Sequence, residues 1–91
     1  MYLELIRRGY SVITGKGGEL EIDFIAEKSG SKVYYQVSAS VLDPVTFERE
    51  ITPLRRVQDN YPKFIITMDD ISSDNEGIQQ VNVVDFLLEN A

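Results

Sequence analysis

The chain has 91 residues, of which 43% are hydrophobic and 26% are charged, and its net charge is −6 at pH 7. Cysteine and histidine are both absent, which excludes disulfides, thiolate nucleophiles, histidine metal ligands and an imidazole general base. Neither a signal-peptide pattern nor a long apolar run is present, so we expect one cytoplasmic domain over residues 1–91 without membrane contact. The acidic charge disfavours nucleic acid as a partner.

The first part of the chain predicts a short helix followed by a strand. Residues 2–8 carry apolar side chains and end on two arginines, and Gly9 is a typical helix stop. Because no N-cap residue precedes this helix, we expect that an earlier turn or an earlier domain is missing upstream. Residues 10–14 are strand-like, and the glycine-rich residues 15–18 predict a hairpin turn.

Two alternating segments, residues 19–26 and 32–39, predict a β-hairpin around a turn at Ser29 and Gly30. In each segment one face is apolar and the other carries polar side chains, and we expect the apolar faces to meet the core. The apolar residues are Leu20, Ile22, Phe24 and Ala26 in the first segment and Val33, Tyr35, Val37 and Ala39 in the second. Ile25 lies on the polar face, which indicates that another element covers part of that face.

The polar face of this hairpin contains the candidate site. A two-residue loop is the choice that brings both apolar sets to the same side of the sheet. It places Asp23 opposite Gln36 and Glu21 opposite Ser38. The register therefore groups two carboxylates, an amide and a hydroxyl on one surface.

A helix is predicted after this hairpin. Asp43 is a suitable N-cap and Pro44 a suitable first helical residue. The inner face of the helix is predicted to consist of Phe47, Ile51 and Leu54. Pro53 is expected to kink the helix or to mark a break near Ile51.

The last third of the chain predicts two strands and a short helix. Residues 63–68 are almost continuously apolar, which is typical of a strand covered on both faces. Residues 69–77 predict an exposed acidic loop, and residues 78–83 predict a last short strand. Asp85 is expected to cap a final helical turn at residues 86–88.

The predicted order is α-β-β-β-α-β-β with a short C-terminal helix. Three meandering strands precede a helical crossover into a buried strand, and we expect the strands after the crossover to be mostly parallel to the centre of the sheet. These elements predict an α/β fold with a three-layer core of restriction-endonuclease type.

Two resemblances follow from the residues. The hairpin resembles the core of the PD-(D/E)XK nuclease superfamily, in which an acidic residue in one strand precedes an (E/Q)xK motif in the next. Nearly the whole chain is also similar to the C-terminal domain of a family of prokaryotic AAA-type ATPases. The matching segments are YLEL at 2–5, RGY at 8–10, EIDFIA at 21–26, YQV at 35–37, DNYPK at 59–63, TMD at 67–69, GI at 77–78 and VVDFL at 83–87. The second resemblance implies that an N-terminal ATPase module precedes this domain in a longer protein.

The nuclease resemblance implies roles for individual residues. Asp23 matches the metal-binding carboxylate, Gln36 matches the second acidic or amide position, and Ser38 stands where the family has its lysine. Glu21 is a candidate second carboxylate, and Glu4 is a possible replacement for the acidic residue of the family's first helix. Asp23, Glu21 and Gln36 are therefore the candidate ligands of a vestigial Mg²⁺ site.

The missing lysine decides the expected function. Such a lysine orients the nucleophile as a compact cation, and its loss is expected to cost several orders of magnitude in rate. We therefore expect a nuclease-fold accessory or interaction domain of an ATPase without cleavage activity. Two alternatives stay open: a divergent Mg²⁺-dependent nuclease acting on DNA, and a standalone protein-interaction module that associates through an exposed strand edge, including with its own copies. Tyr34, Tyr35 and Tyr61 are core or half-buried packing residues in the first reading and base-stacking residues in the nuclease reading.

Overall fold

The computed structural model describes residues 2–14, 22–70, 72–75 and 77–89. Within these ranges the chain forms a mixed α/β structure with a six-stranded sheet and three helices. The elements are α1 (Tyr2–Arg7), β1 (Ser11–Thr14), β2 (Phe24–Lys28), β3 (Ser31–Val37), α2 (Pro44–Arg55), β4 (Lys63–Thr67), β5 (Ser73–Asn75), β6 (Ile78–Asn82) and α3 (Val83–Glu89). The predicted turn at residues 15–18, Leu20 and Glu21 lie outside the described residues. None of the helices in the described ranges is long and apolar enough to cross a membrane.

The sheet has the strand order β1-β2-β3-β4-β6-β5. The first three strands pair antiparallel, whereas β3 pairs with β4 and β4 pairs with β6 in parallel. This confirms that the strands after the crossover are mostly parallel to the centre of the sheet. β5 pairs antiparallel with β6 at the edge, and this strand is additional to the predicted order.

The turn between β2 and β3 sets the register of the hairpin. Ser29 and Gly30 both have positive φ angles, 52° and 82°, as a tight two-residue hairpin turn requires. Lys28 pairs with Ser31, and four residues further Phe24 pairs with Tyr35. The two-residue loop that the alternating pattern predicts is therefore confirmed.

The sheet is covered on both faces, which gives three layers. Helix α2 packs on one face, where the buried cluster consists of Ile22, Tyr34, Val41, Ile51, Leu54, Ile65 and Ile78. Helices α1 and α3 contribute to the cluster on the opposite face, which consists of Leu5, Ala26, Tyr35, Ile66 and Phe86. Ile25 packs against the α2 cluster, so α2 is the element that covers the polar face of the hairpin.

Three residues of the predicted apolar set behave differently from the prediction. Ile22 belongs to the α2 cluster and not to the face of Phe24 and Ala26. It precedes the first residue of β2, so the strict alternation of a strand does not apply to it. Val37, the last residue of β3, and Ala39, which lies beyond the end of that strand, are exposed.

Helix α2 begins as predicted but does not break at its proline. The Asp43 side chain accepts hydrogen bonds from the backbone N–H and the hydroxyl of Thr46, and Pro44 is the first helical residue. The helix continues through Pro53 to Arg55, so the predicted break near Ile51 was wrong. Pro53 lies in the last turn, where its missing N–H removes only one bond from the helix, and its buried ring packs with the inner face.

The segment predicted as an exposed acidic loop is more ordered than expected. Ser73–Asn75 forms the edge strand β5, and Asp69 is buried. The Asp69 carboxylate accepts a hydrogen bond from the backbone N–H of Val41 at 2.8 Å. The Asn82 side chain donates to the backbone carbonyl of Asp69 at 2.9 Å. Asp69 thus joins the ends of β4 and β6 to the segment before α2.

The sequence predicted Asp85 as the N-cap of the last helix, but the residue that caps α3 is Asn82. The Asn82 Oδ1 accepts hydrogen bonds from the backbone N–H groups of Val84 and Asp85. Asp85 lies within the first turn of the helix, where a carboxylate interacts favourably with the helix dipole. The helix therefore begins immediately at the end of β6.

Candidate functional site

Asp23 and Gln36 lie side by side under α2. The backbone N–H of Asp23 donates to the Gln36 side-chain carbonyl at 2.8 Å. The Asp23 carboxylate in turn accepts from the backbone N–H of Val37 at 2.9 Å. These two bonds extend the β2–β3 pairing beyond the last ladder pair, and the two side chains occupy neighbouring positions as the register predicts.

The Gln36 side chain is engaged at both ends of its amide. Its exposed fraction is 2%, and its Nε2 donates to the backbone carbonyl of Glu50 in α2 at 3.1 Å. Together with the bond from Asp23, this places one buried amide between the start of β2, the end of β3 and the middle of α2. A buried amide used in this way holds elements together.

Ser38 brings no positive charge to the position of the family's lysine. Its hydroxyl donates to the backbone carbonyl of Ser40 at 3.0 Å, and its backbone N–H donates to the backbone carbonyl of Ile66 at 3.0 Å. The hydroxyl therefore supports the turn that follows β3. Its chemistry is that of a local turn contact and not of a cation beside a phosphate.

The other two candidate carboxylates do not join this group in the described residues. Glu21 lies outside them. Glu4 is on α1 and pairs with Arg7 at 2.7 Å and with Arg8 at 2.6 Å. The hydrogen bond from Arg7 and, after it, the bond from Arg8 lower the pKa of Glu4 although burial opposes the change. Glu4 is therefore tied to the arginines of its own helix, in the layer opposite α2.

Glu50 is a site residue that the sequence analysis missed. Burial raises the pKa of its carboxyl, the negative charge of Asp23 raises it further, and Arg49 opposes both effects. A sequence signal was available, because Glu50 follows Phe47 by three residues and precedes Ile51 and Leu54, at the spacing of the inner helix face. Glu50 on α2 therefore lies close enough to Asp23 for the two negative charges to act on each other. No group of three or more Asp, Glu, His or Cys residues that could hold a metal occurs in the described part of the chain.

A second polar cluster lies at the other end of β3 and β4. The Tyr34 hydroxyl donates to the Asp59 carboxylate at 2.6 Å. The Lys63 ammonium donates to the same carboxylate at 2.9 Å and also to the backbone carbonyls of Asp59 and Tyr61. Lys63 is 8% exposed. We call Tyr34, Asp59 and Lys63 the loop clamp, because they hold the connection from α2 to β4.

The charges of the loop clamp are set by these contacts. Burial, followed by the bond to Asp59, raises the pKa of Tyr34 to about 12, so the phenol stays neutral near pH 7. Burial acts to raise the pKa of Asp59, but hydrogen bonds from Tyr34, Lys63 and the backbone of Tyr61 together outweigh it and lower that pKa. The DNYPK segment therefore has a structural role, and Tyr34 is a core residue.

Comparison with known proteins found one relative and little else. The chain is 39% identical over 90 residues to an uncharacterized protein of Haemophilus influenzae strain Rd. The match covers 98% of this chain and 22% of that protein, so the chain spans about a fifth of the length of its relative. No family model matches the sequence, and no solved structure matches it significantly.

Proposed function

We propose that this chain is a nuclease-fold accessory or interaction domain of a longer cytoplasmic prokaryotic ATPase, and that it does not cleave nucleic acid. The observation that carries the proposal is the buried Gln36 amide, which is used internally by Asp23 and Glu50. Gln36 stands at the position of a metal ligand, but both ends of its side-chain amide are hydrogen-bonded within the protein. Its role is therefore structural.

The strand order supports a restriction-endonuclease-like core. Three antiparallel strands lead through α2 into the parallel strand β4, with helices on both faces of the sheet. The described elements follow the predicted order α-β-β-β-α-β-β with a short C-terminal helix, to which β5 is added. The resemblance of the ordered sequence segments to the ATPase C-terminal domains points in the same direction.

The side chains that could act as ligands fit a Mg²⁺ centre poorly. Mg²⁺ is usually held by carboxylates in near-octahedral geometry, and the described site offers Asp23 and a half-buried Glu50 with a raised pKa. Ser38 supplies no cation to orient a nucleophile. A divergent nuclease is the second candidate, and the closeness of Asp23 and Glu50 is the observation that favours it.

An interaction role is supported by exposed apolar side chains on the two helices of one layer. Leu3 on α1 is 79% exposed and Leu88 on α3 is 67% exposed, and three neighbours share this property. These neighbours are Ile6, Val84 and Leu87. Apolar side chains grouped on one side of a small domain often mark a protein contact. A relative of which this domain is only 22% offers a larger body for that contact.

Amide hydrogen exchange tests this role. In the Haemophilus relative, we expect the amides matching α1 and α3 to exchange about tenfold or more slowly in the intact protein than in its excised segment, because packing against the larger body suppresses local opening. The amides matching α2 serve as the control and should change less. Equal exchange of α1 and α3 in both forms would contradict the proposed contact.

A further inference from the structure

A groove crosses the sheet face between α1 and α3, and the nuclease comparison gives it no role. Its volume is about 580 Å³, which is within the range of small-molecule sites. The floor is formed by β3, β4 and β6, and one wall is formed by Phe86. The groove lies on the face of the sheet opposite the Asp23 site.

The rim of the groove is positively charged although the whole chain has a net charge of −6. Arg7, Arg8 and Lys28 line it, and no Asp or Glu is among its described lining residues. Arg8 is held by Glu4 and by the backbone carbonyl of Phe86. Arg7 is 62% exposed, but two of its nitrogens donate to the Glu4 carboxylate. The Lys28 ammonium, which has three N–H donors, uses one on the carbonyl of Arg8. Lys28 and the N–H donors of Arg7 that Glu4 does not use can thus reach an anion in the groove.

The floor presents aromatic rings and one unpartnered hydroxyl. Tyr35 stacks on Phe64 with ring centroids 5.6 Å apart and meets Phe86 edge to face. Tyr35 is only 4% exposed, and its hydroxyl has no hydrogen-bond partner among the described residues. Because no buried side-chain oxygen of these residues lacks a partner, the hydroxyl oxygen is accessible from the groove that Tyr35 lines. Phe64 and Tyr10 are partly exposed there. Burial raises the pKa of Tyr35 to about 12, so its hydroxyl is a donor at neutral pH.

We propose that this groove binds a free mononucleotide, with the base against the aromatic floor and the phosphate between Arg7 and Lys28. A hydroxyl that opens onto the groove without a protein partner, the remaining N–H donors of Lys28 and Arg7, and partly exposed rings together suit a ligand that joins an anion to a flat ring. A free nucleotide is favoured over a strand, because the acidic chain repels a polyphosphate. The assignment does not rest on the proposed accessory role, although α1 and α3, which flank the groove, also carry the proposed protein contact.

Calorimetric titration of the 91-residue chain with adenosine monophosphate tests this assignment. We expect saturable binding that is tighter than binding of inorganic phosphate or of adenosine alone. Tyr35→Phe, which removes only the unpartnered hydroxyl, and Lys28→Met should each weaken binding about threefold to tenfold. Lys32→Met is the matched control. Lys32 lies on β3, next to β2, but on the face of the sheet opposite to that of Lys28, so its replacement should leave binding unchanged.

Three outcomes would overturn the assignment. The first is absence of saturable binding of adenosine monophosphate. The second is equal affinity in wild type, Tyr35→Phe and Lys28→Met. The third is binding of a short oligodeoxynucleotide without binding of the mononucleotide, which would contradict a free nucleotide as the ligand.

Discussion

Replacement of Gln36 by methionine is expected to lower the free energy of unfolding by about 1–3 kcal/mol. Methionine fills a similar volume but leaves the N–H of Asp23 without its acceptor and removes one of the donors to the Glu50 carbonyl, which keeps its helical bond within α2. A buried group left unpaired costs roughly 1–3 kcal/mol. Urea denaturation of the two proteins measures the difference, and equal midpoints and slopes would contradict a structural role for Gln36.

The variant Gln36→Glu distinguishes the hydrogen bond that the Gln36 side chain accepts from the one that it donates. A glutamate still accepts from the N–H of Asp23, but when ionised it cannot donate to Glu50 and adds charge beside two carboxylates. Burial and these neighbours raise its folded pKa above the unfolded value of about 4.3. The folded variant then binds the proton more tightly than the unfolded variant does. The stability of Gln36→Glu should therefore approach that of wild type below the unfolded pKa, and it should fall as pH rises through the folded pKa. A deficit that is independent of pH would contradict this account.

The second large effect is expected at the loop clamp. Asp59→Ala should lower the free energy of unfolding by about 2–3 kcal/mol, because it removes the acceptor of the Tyr34 hydroxyl and the carboxylate partner of the buried Lys63. The loss is smaller than for a fully buried ion pair, since Lys63 keeps two backbone carbonyls as partners. Thermal and urea unfolding measure it. Glu48→Ala, which breaks an exposed pair with Arg55, is the control and should cost less than about 1 kcal/mol.

The same carboxylate gives the clamp a pH dependence. The folded pKa of Asp59 is lowered, so its stabilisation is present above the unfolded pKa of about 3.9 and is lost as pH falls through the folded pKa. Asp59→Asn removes this titration. The stability difference between wild type and Asp59→Asn should therefore shrink in acid, and a constant difference from neutral pH down to the acid transition would contradict the assigned contacts.

The parts of the fold that the sequence predicted are those in which a local pattern and the core agree. The alternation in the hairpin determines its register, since a shift by one residue would expose the buried residues Ala26 and Tyr35. The N-cap at Asp43 follows from a side chain that acts on its own helix. These features need no knowledge of distant contacts.

The parts that were missed depend on contacts between distant segments. β5 consists of the polar residues Ser73–Asn75, whose types disfavour strands, and it forms because Gly77, at φ 83°, lets the chain return beside β6. Asp69 is buried because Val41, which lies 28 residues earlier, supplies an N–H donor. For the candidate site, the sequence predicted the neighbours Asp23 and Gln36. It did not predict the bond from Gln36 to α2, which determines what that amide does.

A cleavage assay with Asp23→Asn as the comparison tests the central claim most directly. Asparagine keeps an oxygen for the N–H of Val37 but removes the charge that a metal would need, and Asp85→Ala controls for loss of an exposed carboxylate. Single- and double-stranded DNA are incubated with the chain and Mg²⁺ or Mn²⁺. We predict that wild type, Asp23→Asn and Asp85→Ala give the same background. Metal-dependent cleavage that is present in wild type and Asp85→Ala and absent in Asp23→Asn would contradict a non-cleaving accessory domain.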